Sequence, residues 1–321
     1  MSVLVFAEQS EGKYKKTALE VVSYGKELSI SQGSDLVVLT INQEGTEILS
    51  RYGADKVLNV MDDRLKSFSA KAFADCISQA AIQVGANTVV VDSSSDGLYL
   101  APILAVKLEA GFAANVFAQP ESLDPFRVKR KAFSSKAFNF TEIHTPVKVI
   151  GLAKNSFGLK EIESSPVQES FTPNLNDEDF AIKATATDKS TGKVTIADAD
   201  VVVSGGRGLK GPENWGMIEE LAEVLGAATA CSKPVSDLGW RPHSEHVGQT
   251  GKPVSSNLYI AIGISGAIQH LAGVNSSKVK VVVNIDPEAP FFKAADYGVV
   301  GDAFEVVPAL ISKLKEFKAT A

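Results

Sequence analysis

The chain reads DADVVVSGGRGLKGP at residues 198–212, LYIAIGISGAIQH at 258–270 and VKVVVNIDPEAP at 279–290. Each segment begins with an apolar run and passes at once into glycine, polar and turn residues. The pattern predicts three buried strands of a parallel sheet, each ending in a loop. In an open α/β sheet, ligands bind outside the carboxyl ends of the strands. The three segments therefore predict a single crevice for a large nucleotide.

The loop after the first predicted strand contains Gly205, Gly206 and Gly208 together with Arg207. Glycines let a ligand approach the backbone closely, and an arginine offers a planar fork of donors to a phosphate or to the edge of a flavin. A tight strand-to-helix turn with an exposed arginine explains the same residues without a ligand. By itself, this loop leaves both interpretations open.

The second predicted strand is followed by GISGAIQH with no long connection, and we expect a helix to begin near Ser265. Such a helix would direct free backbone N–H groups at an anion, while Gly263 and Gly266 clear space for it. An ordinary capped helix is the alternative. His270 would lie close enough to the crevice to supply a charge, although a single helical histidine is more often structural.

Short polar side chains extend the predicted crevice. Gln249 and Thr250, in the segment VGQTGK, have groups that hydrogen-bond to a heteroaromatic ring, or they belong to a simple β-turn. Asn284 and Asp302 follow strand-like runs, where they are able to pair with purine or ribose edges or to form Asx turns.

The first part of the chain alternates between two patterns. Apolar runs at 3–8, 34–42 and 87–95 predict buried strands, and apolar residues at helical spacing over 17–28 and 70–84 predict helices between them. This order is typical of a parallel sheet with crossover helices. The fold class is therefore α/β, and the loop after the first strand has no phosphate-binding motif, which favours structural and partner-binding roles for the first domain.

The pattern changes after about residue 126. Three short extended segments, RVKRKAF (127–133), AFNFTEI (137–143) and VKVIGLA (147–153), favour an antiparallel edge or a meander, with the basic run 127–131 as a solvated edge strand. The polar stretch 164–190 predicts a linker. We accordingly expect two domains, residues 1–190 and 191–321.

Composition limits the class of protein. With 45% hydrophobic and 22% charged residues, no apolar run approaches the ~20 residues of a membrane helix, and the amino terminus lacks a secretory signal, so we expect a cytoplasmic protein without membrane insertion. The two cysteines, Cys76 and Cys231, are far apart, which supports neither a disulfide framework nor a metal site. A net charge of −6 argues against nucleic acid as a partner.

Together, the segments resemble the alpha subunit of electron-transfer flavoproteins over about residues 200–308. The resemblance is carried by LYIAIGISGAIQHLAGVNSSKVKVVVNIDPEAPFFKAADYGVVGD at 258–302, with SGGRGLK and VGQTGK upstream in the family's order. It implies a flavodoxin-like FAD-binding second domain, a nucleotide-binding-like first domain, and a beta subunit that completes a heterodimer. AMP is a possible cofactor of that beta subunit and not of this chain.

The resemblance also implies individual contacts with FAD. Arg207 matches the arginine beside the flavin, Ser232 the serine near its ring, and Val247, Gly248, Gln249 and Thr250 the segment that lines the isoalloxazine, with the Thr250 hydroxyl near N5. Ser265, Gly266, Ala267, Ile268, Gln269 and His270 match the phosphate-binding loop, with His270 near the C2 carbonyl, and Asn284 and Asp302 match positions that bind the adenosine. Lys233 stands where the family commonly has arginine, so the positive charge is kept and the planar fork is lost.

The implied function is electron transfer and not bond chemistry on a substrate. FAD would accept electrons from dehydrogenases of the acyl-CoA type in fatty acid beta-oxidation and pass them, through semiquinone and hydroquinone forms, to a membrane quinone oxidoreductase. Lys233, His270 and Thr250 would tune its potential. Two alternatives remain: an electron-bifurcating subunit that uses NADH, and a flavin-free α/β protein that senses nucleotides.

Overall fold

The structure is a computed structural model that describes residues 1–182, 185–186 and 195–320. Contacts between residues divide the chain into two units, one formed by residues 1–132 and 138–187 and the other by 133–137 and 188–321. The α/β class and the presence of two parallel-sheet domains are confirmed. The boundary expected between residues 190 and 191 lies outside the described residues. Among the helices of the described residues, none is long and apolar enough to cross a membrane.

The first unit is built on a large sheet. Its strands are β1 Ser2–Phe6, β2 Gln9–Ser10, β3 Lys13–Tyr14, β4 Asp35–Ile41, β5 Lys56–Val60, β6 Ala86–Asp92, β7 Gly111–Val116, β8 Ser122–Leu123, β9 Phe126–Ala132, β10 Ala137–Ile143, β11 Lys148–Leu152 and β12 Val167–Ser170. Its α-helices are α1 Lys16–Gln32, α2 Glu47–Ser50, α3 Ala70–Gln83 and α4 Ser95–Lys107. The main sheet has the order β10-β9-β7-β11-β6-β1-β4-β5-β12, with β8 paired to β9 and β2 to β3 outside it.

Three expectations for the end of the first unit need correction. The segment VKVIGLA does not lie at an antiparallel edge: β11 runs parallel to both β6 and β7 in the middle of the sheet, because Val149 and Ile150 are buried on opposite faces. The basic strand β9 is not the edge strand, since β10 lies outside it. The predicted linker contains β12, which pairs with β5.

The second unit is a five-stranded parallel sheet. Its strands are β13 Val201–Gly205, β14 Ala228–Cys231, β15 Leu258–Ile262, β16 Val279–Asn284 and β17 Tyr297–Val300, and its α-helices are α5 Gly216–Leu225, α6 Lys233–Asp237, α7 Ile268–Val274 and α8 Ala303–Thr320. The strand order is β14-β13-β15-β16-β17, which is the 2-1-3-4-5 order of flavodoxin-like folds. In this order, the ligand position is the switch point between β13 and β15.

Two apolar strands of this sheet, β13 and β15, are buried on both faces. Val203 and Ile260 face one core with residues of α5 and α8, while Val202 and Tyr259 face the other core with Val274 of α7. Burial on both faces explains why the sequence shows continuous apolar runs and not an alternating pattern.

The register brings the strand ends to one level. Gly205 lies opposite Cys231 on one side and Ile262 on the other, and Ile262 lies opposite Val283. The loops that follow β13, β14, β15 and β16 therefore leave the sheet together.

Two helix starts differ from the expectation. The helix expected near Ser265 begins at Ile268, because Gly266 has a φ of +86° and Ala267 has an extended backbone. The sequence predicts a closing helix from about Pro308 to Phe317, but this helix begins at Ala303, where Asp302 accepts a hydrogen bond from the Phe304 N–H at 3.0 Å.

Candidate cofactor site

A cavity of about 510 Å³ lies at the carboxyl edge of the second sheet, at the switch point between β13 and β15. Its volume is within the range of sites that bind small molecules and cofactors. It is lined by Arg207, Gly208, Ser232, Lys233, Pro234, His246, Val247, Gly248, Gln249, Thr250, Gly263, Ile264, Ser265, Ala267, Gln269, His270, Asn284, Asp286 and Ala289. Four loops and the VGQTGK segment thus form one site.

Most residues implied by the resemblance line this cavity. The structure brings together Arg207, Ser232, Lys233, Val247, Gly248, Gln249, Thr250, Ser265, Ala267, Gln269, His270 and Asn284. It places Gly266, Ile268 and Asp302 outside the lining. Asp302 caps α8 and lies 3.9 Å from the Lys210 ammonium, and the Ile268 side chain is exposed at the start of α7.

The glycines after β13 pack two loops against each other. A Cβ on Gly206 would lie 2.2 Å from the carbonyl oxygen of Gly263, and one on Gly208 would lie 2.7 Å from the Gly263 Cα. The Gly208 N–H donates to the Gly263 carbonyl at 3.1 Å. Gly206 therefore packs against the neighbouring loop without lining the cavity, whereas Gly208 and Gly263 pack together and also line the cavity.

The loop after β15 is held from the neighbouring strand. Asn284 donates its side-chain amide to the Ile264 carbonyl at 3.0 Å, and its side-chain oxygen accepts from the Asp286 N–H at 3.0 Å. The Phe291 N–H donates to the Ser265 carbonyl at 3.0 Å. Asn284 thus forms an Asx turn and braces the cavity wall, using both ends of its amide within the chain.

Two cations line the cavity without a counter-charge. The side chains of Arg207 and Lys233 are exposed, and among the described residues neither forms an ion pair or a side-chain hydrogen bond. Asp286 is the carboxylate of the lining, and it accepts from the Glu288 N–H at 2.9 Å. The free cations suit a ligand that carries phosphate or develops negative charge.

Neutral donors and acceptors are available on the same walls. Ser232 lies at the start of α6 but makes no capping hydrogen bond with its hydroxyl, and the side chains of Gln249 and Thr250 are exposed. The backbone of this segment is fixed, since the Gln249 N–H donates to the Gln269 carbonyl at 2.7 Å. The fixed backbone therefore keeps the hydrogen-bonding side chains of this segment at the cavity wall.

The imidazole of His270 is neutral at neutral pH. Its Nε2 lies 2.9 Å from the Tyr259 hydroxyl, and its side chain is almost fully buried. Burial chiefly, and then nearby His246, lower the pKa of His270 to about 4, against a smaller opposing effect of the Val247 carbonyl. At neutral pH, the positive charges of the lining therefore come from Arg207 and Lys233.

His246 was missed by the reasoning from sequence. It is 1% exposed and lines the cavity, and its Nδ1 is buried without a hydrogen-bond partner in the described part of the chain. Its ring centroid lies 5.2 Å from that of His243, and burial lowers its pKa. Its place directly before VGQTGK was the signal that could have identified it.

Comparisons with known proteins match residues in both units. The family model described as the electron transfer flavoprotein FAD-binding domain matches residues 195–275, and that of the electron transfer flavoprotein domain matches residues 3–176. The chain is 35% identical to electron transfer flavoprotein subunit alpha of Bacillus subtilis, over 98% of this chain and 97% of that protein. It is 32% identical to the acryloyl-CoA reductase electron transfer subunit beta of Anaerotignum propionicum, over 98% of this chain and 96% of that protein.

Proposed function

The chain belongs to the electron-transfer flavoprotein alpha-subunit family, and from this premise we propose that it is the FAD-carrying subunit of a heterodimeric electron carrier. The observation that carries the proposal is the set of side chains that line the cavity at the β13/β15 switch point. Two unpaired cations, Arg207 and Lys233, line it together with His246 and His270, whose buried Nδ1 atoms have no partner in the described residues.

The residues present fit FAD. Leaving a buried polar atom unpaired costs about 1–3 kcal/mol, so two unpaired imidazole nitrogens in one cavity favour a ligand with ring heteroatoms. The unpaired cations favour its diphosphate or any negative charge that its ring acquires. The Ser232 hydroxyl and the exposed side chains of Gln249 and Thr250 supply further hydrogen bonds. When bound, FAD would supply the chemistry, which is the uptake and release of electrons one or two at a time.

The chain's own contribution is binding and electrostatic tuning. Arg207 and Lys233 lower the free energy of negative charge in the cavity, because each is a full positive charge without a counter-ion within the described residues. The buried neutral His270 and the packed Gly206–Gly263 contact keep the floor of the cavity rigid. No nucleophile and base are needed, since the proposed reaction makes and breaks no bond of a substrate.

The proposed partners are a beta subunit, which would carry any AMP, a dehydrogenase of the acyl-CoA type as electron donor, and a membrane quinone oxidoreductase as acceptor. The proposed setting is fatty acid beta-oxidation in the cytoplasm. A bifurcating subunit that uses NADH is the second candidate. Reduction of the purified heterodimer by NADH supports the second candidate, whereas reduction only by an acyl-CoA dehydrogenase and its substrate supports the first.

The absorption spectrum of the chain coexpressed with its beta subunit tests the proposal. We expect a yellow heterodimer that contains one FAD in this subunit. A folded, colourless heterodimer that does not bind added FAD would show that the cavity serves another ligand, including the nucleotide of a flavin-free sensor.

Lys233→Ala is expected to lower the midpoint potential of the first electron by about 59 mV, which is a tenfold change in the one-electron equilibrium. The reason is the loss of a positive charge that stabilises the reduced ring. Redox titration of the heterodimer measures it, and Lys233→Arg should keep the wild-type potential.

Lys278→Ala provides the matched control, because this exposed lysine precedes β16 at the opposite edge of the same sheet. It changes the net charge equally without a change at the cavity. Equal potentials for Lys233→Ala and Lys278→Ala would exclude a tuning role for Lys233.

A further inference from the structure

Three rings form a buried cluster beneath the cavity. Tyr259 of β15 and Phe291 are fully buried with parallel rings whose centroids are 6.3 Å apart, and the His270 ring lies 6.1 Å from the first and 6.0 Å from the second. The packing leaves the phenol little freedom to move. The position of its hydroxyl, 2.9 Å from the His270 Nε2, is therefore set by the core of the fold.

The hydrogen bond between the two side chains has a preferred direction. Burial raises the pKa of the Tyr259 phenol, so it keeps its proton, and His270 is neutral at pH 7. A neutral imidazole has one N–H and one acceptor nitrogen. When the phenol donates to Nε2, the ring proton must be on Nδ1.

Two neighbours bear on this assignment. The Val247 carbonyl raises the pKa of the ring, which is expected of an acceptor close to an N–H, although it forms no hydrogen bond of acceptable geometry with Nδ1. Ser204, a buried hydroxyl on β13, is the competing acceptor for the phenol proton, but it makes no hydrogen bond of acceptable geometry among the described residues. Donation from the Tyr259 phenol to the His270 Nε2 pairs the phenol proton with an acceptor nitrogen, and it therefore satisfies more of these polar groups than donation in the other direction.

We propose that Tyr259 is a positioning residue that holds His270 in the tautomer with its proton on Nδ1. His270 lines the cavity, and its Nδ1 has no hydrogen bond within the described chain. Since the acceptor nitrogen is occupied by the phenol, the ring has only a donor to offer. A donor stabilises an acceptor more strongly as that acceptor becomes negative.

The consequence for electron transfer rests on the proposed function. With FAD in the cavity, a fixed N–H donor favours negative charge on the ring, so it raises the potential of the first electron without any charge on His270. The assignment of the tautomer does not depend on FAD, and the two statements are therefore tested separately.

The experiment is nitrogen-15 NMR of the histidine-labelled heterodimer, with the oxidised cofactor and again without it. The chain has four histidines, and His270→Gln identifies the signal. We expect a protonated Nδ1 and an unprotonated Nε2 in the wild type. Tyr259→Phe should give a mixture of both tautomers, and Ser204→Ala should resemble the wild type.

Redox titration of the same variants gives the second measurement. Tyr259→Phe should shift the one-electron equilibrium about tenfold toward the oxidised form, whereas Ser204→Ala should leave it unchanged. A wild-type His270 with its proton on Nε2 would overturn the proposal, even if Tyr259→Phe does not fold. So would a Tyr259→Phe protein with the tautomer and potential of the wild type. A heterodimer that shows the expected tautomer but binds no FAD would refute the proposed function alone.

Discussion

Gly266→Ala is expected to lower the free energy of unfolding by about 3 kcal/mol and to abolish FAD binding. Gly266 has a φ of +86°, and a Cβ there would lie 2.5 Å from the Phe291 nitrogen and 2.6 Å from its Cα. That nitrogen donates to the Ser265 carbonyl at 3.0 Å, so the clash is with backbone that already holds the loop. The loop has to move, and it carries Ser265 and Ala267 of the cavity wall with it.

Gly226→Ala separates the clash from the backbone strain. Gly226 ends α5 with a φ of +64°, and a Cβ on this residue would have no heavy atom of the described chain within 4 Å. Its replacement should therefore cost only the left-handed strain, about 1 kcal/mol, and leave FAD bound. Urea unfolding and the absorbance of bound FAD measure both variants. Equal losses of stability, with FAD retained in both, would mean that the Gly266 loop is not held by Phe291.

A decrease of pH from 7.5 to 4 is expected to lower the free energy of unfolding of the FAD-free protein by about 3 kcal/mol through His270 alone. The pKa of this residue is about 4 in the folded chain and 6.5 as a free side chain. The unfolded chain therefore binds a proton below pH 6.5 that the folded chain does not bind until about pH 4. The stabilising contribution is complete above pH 6.5 and is lost as the pH falls toward 4.

Other groups titrate in the same range, so the comparison needs a variant. Burial also lowers the pKa of His246, so this residue adds to the loss of stability as the pH falls. Burial raises the pKa of Glu8 and Asp96 in the first unit, and these two groups add stability as the pH falls. His270→Gln keeps a side-chain acceptor for Tyr259 and cannot titrate.

Urea unfolding of both proteins between pH 7.5 and 4 gives the difference. The wild type should lose about 3 kcal/mol more than His270→Gln over this interval. Parallel curves for the two proteins would show that the pKa of His270 in the folded chain stays at its ordinary value, so that its environment is more polar than the buried Tyr259 contact indicates.

The strand ends of the second unit were predicted correctly from sequence because their signal is local. The strands Val201–Gly205 and Leu258–Ile262 are buried on both faces, and Val279–Asn284 is buried at Val282 and Val283. Such strands appear as continuous apolar runs wherever they lie in the sheet. The same reasoning placed VKVIGLA wrongly. Its apolar run indicated a strand, but nothing within seven residues shows whether a strand is central or at an edge.

The roles of single residues depended on partners that are distant in sequence. Gly206 faces the backbone of Gly263, and Asn284 donates to the Ile264 carbonyl. His246 had no periodicity or motif of its own, and its burial follows from the loops that cover it. Sequence spacing contains no information about such contacts until the strand order is known.

The sequence by itself determined the α/β class, the strands β13, β15 and β16 of the second sheet, and the family, because burial of β-branched runs and a long ordered set of motifs are properties of the chain read in order. The tertiary structure alone decided which strand-end residues share a cavity, which nitrogen of His270 is occupied, and which glycines contact backbone. Those properties arise from the order and register of the strands, which bring together groups that are tens of residues apart and exclude water from between them.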